Sequence, residues 1–148
     1  MIRRANIADT TGILLCLGAA FQEFRRDYTP EAFADTVLSE ATIAKRLREM
    51  IVLVAEQGGV VGTIACFRHG DEGHLRGMAV LPVLRGRGVA EQLLAAAEAE
   101  LAGCARVTLD TTAPLRRAIR FYEKHGYRAT GRVTDFFGMP LYEYEKRR

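Results

Sequence analysis

A strand that runs into a glycine-rich turn and straight out into a helix constrains this chain more than any other feature. Val80 and Leu81 close an apolar stretch, Pro82 stops it, and Arg85-Gly86-Arg87-Gly88 leads into Val89. From there Val89, Leu93, Leu94, Ala97 and Leu101 recur on one helical face, and Gly103 closes the helix. A helix with a single apolar stripe must bury it, and the strand before it supplies a sheet for that purpose. The first turn of such a helix carries unpartnered N–H groups at the positive end of its dipole. Glycines let a ligand approach the main chain, and Arg85 and Arg87 add forked donors suited to phosphate oxygens. The pattern points to an anion, above all a pyrophosphate. A plain turn with two solvated arginines is the competing reading.

Two other phosphate loops share parts of this pattern. A P-loop needs a Lys after its glycines, and none follows here. The dinucleotide fingerprint begins well at Gly86 and Gly88 but then meets Glu91 where a small residue must pack. Asp110, at the end of the next strand, stands at about the distance of a ribose-binding acid and keeps that rival open.

The flanking segments predict the rest of the architecture. Ile2 to Ala5 reads as a short strand. Asp9 is placed to cap a helix on which Ile13, Leu14, Leu17, Phe21 and Phe24 recur. Thr29-Pro30-Glu31 starts further helix, one or two segments ending near Met50. Ile51 to Ala55, a Gly58-Gly59 turn, Val60 to Phe67, a turn at Gly70 to Gly73, and His74 to Leu81 form an antiparallel meander. Gly73 and Gly77 interrupt its last strand, and one of them marks a bulge. Arg106 to Thr111 is a strand with Val107 and Leu109 inward, Leu115 to His125 a helix stopped by Gly126, and Tyr127 to Thr134 and Leu141 to Tyr144 the final strands. The expected fold is α/β, mixed α+β: a central, mostly antiparallel, splayed sheet with helices on both faces.

The helix after Leu115 carries a second motif, Ala118-Ile119-Arg120-Phe121-Tyr122-Glu123-Lys124-His125-Gly126-Tyr127. By itself it describes an amphipathic helix on a sheet, with Tyr122 as a core aromatic. Together with Arg85-Gly86-Arg87-Gly88-Val89-Ala90, it resembles the GNAT superfamily of acetyl-CoA-dependent N-acetyltransferases. The resemblance covers nearly the whole chain in element order and implies one such domain over residues 1–148. It departs at Leu115, where the family often has Asn, so a side-chain hydrogen bond near the pantetheine or substrate is expected to be missing.

The resemblance implies acetyl-CoA as cosubstrate, without a metal. Its pyrophosphate would be held by the main chain of Arg85, Gly86, Arg87, Gly88, Val89 and Ala90. Its pantetheine would lie along Met78, Ala79 and Val80, where that strand splays from Val107–Thr111. A main-chain N–H near Ala79 or Val80 would polarise the thioester carbonyl. Tyr122 matches the family's general acid. His74 is a candidate base because histidine titrates near neutrality, against the reading of an ordinary hairpin histidine. Glu72 and Asp110 are weaker candidates, and water is a further one. Glu23 and Asp27 could attract a cationic amine or simply be solvated. The stripe Arg116, Arg120, Lys124 reads as an exposed face, one member of which could reach the ribose phosphate of coenzyme A. The implied acceptor is a primary amine, on a small molecule or on a protein lysine or N-terminus. A non-catalytic acyl-CoA-binding or regulatory domain would keep the loop and lose the chemistry.

Composition narrows the partners. The 148 residues are 49% hydrophobic and 26% charged, which suits one folded core rather than a disordered tail. A net charge of +3, from 21 basic and 18 acidic residues, is too weak to argue for nucleic acid. The longest apolar run, Gly12 to Phe21, is too short to cross a bilayer, so no membrane partner is expected. Cys16, Cys66 and Cys104 sit in apolar stretches without metal-ligand spacing, as core residues of a cytoplasmic protein would. Exposed strands near the C-terminus could pair two copies into a homodimer.

Overall fold

The structure, a computed structural model, describes residues 1–148. Seven strands form one sheet in the order β1-β2-β3-β4-β5-β7-β6. They span Ile2–Arg4 (β1), Ile51–Glu56 (β2), Val60–His69 (β3), Glu72–Val80 (β4), Arg106–Thr111 (β5), Arg128–Phe136 (β6) and Met139–Arg147 (β7). Every neighbouring pair is antiparallel except β4 and β5. The helices are α1 (Thr10–Phe21), α2 (Pro30–Thr36), α3 (Glu40–Glu49), α4 (Val89–Glu100) and α5 (Arg116–Lys124). The parallel pair is joined through α4, because strands running the same way need a crossover connection. A mostly antiparallel sheet is not the doubly wound parallel sheet that the dinucleotide reading requires.

Helices cover both faces of the sheet. The α4 stripe foreseen from sequence is buried, with Leu93, Ala97 and Leu101 fully enclosed against β2–β5 together with Tyr122 of α5. Closing Leu93 off from water contributes about 1.5–3 kcal/mol. On the opposite face Ile13, Cys16 and Leu17 of α1 pack with Ile43 of α3 over Val52, Val54, Ala65 and Ala79. The three cysteines are buried and unpaired. No helix is long and apolar enough to cross a membrane.

Two local expectations change. Asp9 does not cap α1 through its side chain. Its carboxylate instead accepts two hydrogen bonds from Arg3 at 2.8 Å and one from the Asn6 N–H. Asn6 provides the cap, for a short 3-10 turn ahead of α1. A forked pair with Arg is worth more to a carboxylate than an end-of-helix amide, so α1 starts without a side-chain cap. The second change is in the last hairpin, whose strand β7 runs from Met139 to Arg147 and sits between β5 and β6.

The bulge foreseen in β4 falls at Gly77. Its φ is +67°, and the β3–β4 register slips by one residue between Ala65↔Arg76 and Thr63↔Ala79. One extra residue reverses the alternation of the strand. Leu75 therefore packs toward α4, whereas Ala79 packs toward α1. Gly73 has a different role: a β-carbon there would come within 2.7 Å of Leu101, so the glycine lets α4 sit close to the sheet.

Candidate active site

β4 and β5 pair only from Glu72↔Arg106 to Leu75↔Leu109. Beyond that point β4 continues to Val80 and β5 to Thr111 without pairing to each other. The resulting fork opens into a cavity of about 620 Å³. Sheet twist and the Gly77 bulge turn the end of β4 away from its parallel neighbour, and α4 then starts at the mouth.

The glycine loop forms one wall. Gly86 and Gly88 have φ of +76° and +84°, values that favour glycine, and neither has an atom near its missing β-carbon. Gly88 is the residue ahead of α4, and no side chain caps that helix. The first-turn N–H groups are thus left for a ligand, at the end of the dipole that suits negative charge. Arg85, Gly86, Gly88, Val89 and Ala90 line the cavity, as do Met78, Ala79 and Val80 across from them. Arg87 is exposed and off the wall. The Arg85 guanidinium turns back to the Glu23 carboxylate at 2.6 Å, with Arg117 on the same carboxylate at 3.8 Å. Glu23 is therefore already neutralised rather than waiting for a cationic amine.

Tyr122 and His74 occupy separate places on the lining. Tyr122 is buried between Phe121 and Tyr127, with both rings edge-on to it. Its hydroxyl has no hydrogen-bond partner within the chain, and burial pushes the phenol well above its ordinary range, so it stays protonated. His74 lies at the closed end of the fork. Its Nδ1 is 2.7 Å from Thr108 Oγ1, and its Nε2 is 3.7 Å from the Asp110 carboxylate. Burial holds the imidazole below its usual range, with Asp110 pulling the other way and Arg76 adding to the depression. It is neutral near pH 7, as a base must be. Glu72 is engaged by Arg106 at 3.1 Å. Leu115 stands ahead of α5 and lines the cavity, and no side chain caps that helix.

Sequence reasoning placed Tyr28 near the acceptor but missed two features of the site, the partner that Tyr28 takes and the burial of Arg46. Tyr28 bonds Thr112 through their hydroxyls at 2.7 Å and closes the cavity on the β5 side. Arg46 of α3 also reaches the lining, although it is only 9% exposed. No group of three or more His, Cys, Asp or Glu side chains comes together as a metal site would need.

The sequence matches the family model described as the acetyltransferase (GNAT) family over residues 17–127. No protein curated for function matches it. Solved structures share the fold. A PaiA N-acetyltransferase from Thermoplasma acidophilum in complex with coenzyme A superimposes with a TM-score of 0.83 at 17% identity, covering 100% of this chain and 98% of that one. A GNAT-family acetyltransferase from Staphylococcus aureus gives 0.79 at 18% identity, covering 99% and 98%. A ribosomal-protein-alanine N-acetyltransferase from Brucella melitensis gives 0.74 at 24% identity, covering 100% and 99%. Loop, fork and family model agree, and the chain belongs to the GNAT acetyltransferase family.

Proposed function

We propose that residues 1–148 act as one N-acetyltransferase domain, moving an acetyl group from acetyl-CoA to a primary amine by direct attack. The observation that carries this reading is the fork between β4 and β5, walled by an uncapped helix start and reached by an unpartnered tyrosine hydroxyl.

The residues present fit acetyl-CoA. The main chain of residues 85–90 would hold its pyrophosphate, with Gly86 and Gly88 leaving room for close approach. The stretch of β4 at Met78, Ala79 and Val80, which has no partner on its β5 side, would hold the pantetheine as one more strand-like neighbour. Acetyl-CoA supplies an acetyl group already activated as a thioester. A main-chain N–H near Ala79 or Val80 orients and polarises the carbonyl, and one such donor contributes about 10²–10³ in rate. Tyr122 holds a proton at its phenol oxygen for the departing sulfur. An alkyl amine has a pKa near ~10 and must lose a proton before it attacks. His74, kept neutral by burial and oriented by Thr108, is the base we assign, with Asp110 steadying the imidazolium that forms. A cytoplasmic site of action belongs to the same reading. So does pairing of two copies through β6, the open edge of the sheet, which is exposed along nearly its whole length.

The test is thiol release from acetyl-CoA over amino acids, polyamines, aminoglycosides and peptides, with acetylated product identified by mass. Amine-dependent release supports the reading. Coenzyme A binding without release to any acceptor supports the non-catalytic alternative.

A further inference from the structure

Arg46 is the feature of this molecule that the site described so far does not use. It lies one turn from Ile43 on the buried face of α3 and is 9% exposed. Its guanidinium takes part in no hydrogen bond and no ion pair. The nearest acidic candidate, Asp35, is taken by Arg76 at 2.8 Å. The group is aimed at the Gly77 bulge: a β-carbon there would come within 2.5 Å of Arg46 Nη1. Burial and the neighbouring Arg76 lower its pKa to about 10 against a smaller opposite pull from Asp35, which still leaves it charged at pH 7. A buried cation without a counterion is costly, and a ligand that brought the missing anion would relieve that cost.

We propose that Arg46 binds the carboxylate of the acceptor, and that the acceptor is a small α-amino acid with an apolar side chain. This rests on the acetyl-transfer reading for the identity of the reacting amine. Three observations set the class. The guanidinium is a planar fork that matches a carboxylate in two parallel hydrogen bonds. It lies against Gly77, one residue from Met78 and two from Ala79, which suits an acceptor whose carboxylate and reacting nitrogen share one carbon better than one carrying them at opposite ends of a long chain. The same cavity is lined by Phe21, Phe24, Phe136 and Leu141, which suit an apolar side chain, and of the carboxylates that also line it Asp35 is held by Arg76 and Asp110 faces His74.

The experiment is equilibrium binding to the coenzyme A-loaded protein, using matched ligands that differ in the carboxylate. L-Leucine is compared with isopentylamine and leucinamide, and L-phenylalanine with phenethylamine. The amino acids are expected to bind about 10- to 100-fold tighter than the amines, the range of a hydrogen bond to a charged group. Arg46→Met should erase that difference, and Arg46→Lys should keep part of it. Coenzyme A binding by both variants establishes that the rest of the site has folded. Equal binding within each pair overturns the proposal. So does tighter binding of leucinamide, failure of either amino acid to bind, or a preference that survives in Arg46→Met. Acetyl transfer is read separately. A carboxylate preference without acetylated product overturns the enzyme reading and leaves the Arg46 assignment standing.

Discussion

Arg85 Nη2 lies 2.6 Å from Glu23 Oε1, which ties the glycine loop to the helical segment that follows α1. The pair bridges the two halves of the cavity mouth and commits the Arg85 side chain to a carboxylate. In the proposed reading the grip on a phosphate would then fall to the main chain of the loop, where glycine geometry sets the shape.

Gly88 should accordingly matter more to coenzyme A than the charges around it. A non-glycine residue in its left-handed conformation is strained by about 1–2 kcal/mol. The cheapest relief for Gly88→Ala is for the loop to leave the cradle shape. Calorimetry should show coenzyme A affinity falling about tenfold, by the same energy. Glu23→Gln removes a partly exposed ion pair, worth about 1 kcal/mol or less, and should change that affinity less than fivefold or so. A larger loss in Glu23→Gln than in Gly88→Ala would show that side chains, not main chain, hold the phosphate.

Tyr122→Phe separates chemistry from packing. The hydroxyl bonds to nothing in the chain, so removing it should leave the midpoint of urea unfolding unchanged or slightly raised. General-acid donation contributes about 10²–10⁴ in rate, and kcat should fall by a factor in that range. Full kcat in Tyr122→Phe would remove the residue from the mechanism.

These two regions also show how far the sequence could be read. The α4 stripe was legible because five apolar residues repeat at helical spacing, and all five are buried. The loop was legible because glycine at positive φ is a local requirement. Arg46 was not, because an arginine among Lys45 and Arg48 on a short helix reads as solvated. Its burial depends on contact with a bulge about thirty residues away in sequence, and no local pattern records that. Glu23 was open to misreading for the same reason, since its partner Arg85 is 62 residues away in sequence.

His74 predicts a pH dependence with a definite sign. Burial lowers its folded-state pKa below the unfolded value of 6.5. Above that value the ring is neutral in both states and the shift has no effect. As pH falls below it, the unfolded chain takes up the proton first, so folding stability declines until the folded-state pKa is also passed. Urea unfolding between pH 7.5 and pH 5 should show a steeper loss for the wild type than for His74→Gln. The low-pH limb of kcat/KM should likewise flatten in His74→Gln if the imidazole takes the amine's proton. Parallel stability curves for the two proteins would mean that His74 carries no shift.

Arg46→Met should make the protein more stable while costing it its acceptor. The substitution keeps much of the side chain's length and removes a buried charge that has no hydrogen-bonded partner in the chain and only a longer-range offset from Asp35. Apolar replacement of buried ionic groups stabilises other folds by about 1–4 kcal/mol, and a gain within that range is expected in urea unfolding. Gly77→Ala tests the same contact from the other side. Its β-carbon would collide with the guanidinium, and its φ of +67° would be strained, so it should lose stability. Combining the two removes the collision but keeps the backbone strain. The double variant should therefore be more stable than Gly77→Ala and less stable than Arg46→Met, with a coupling between the sites that additive behaviour would not give. Strict additivity would place the guanidinium away from the bulge and take away the reason for expecting a carboxylate there.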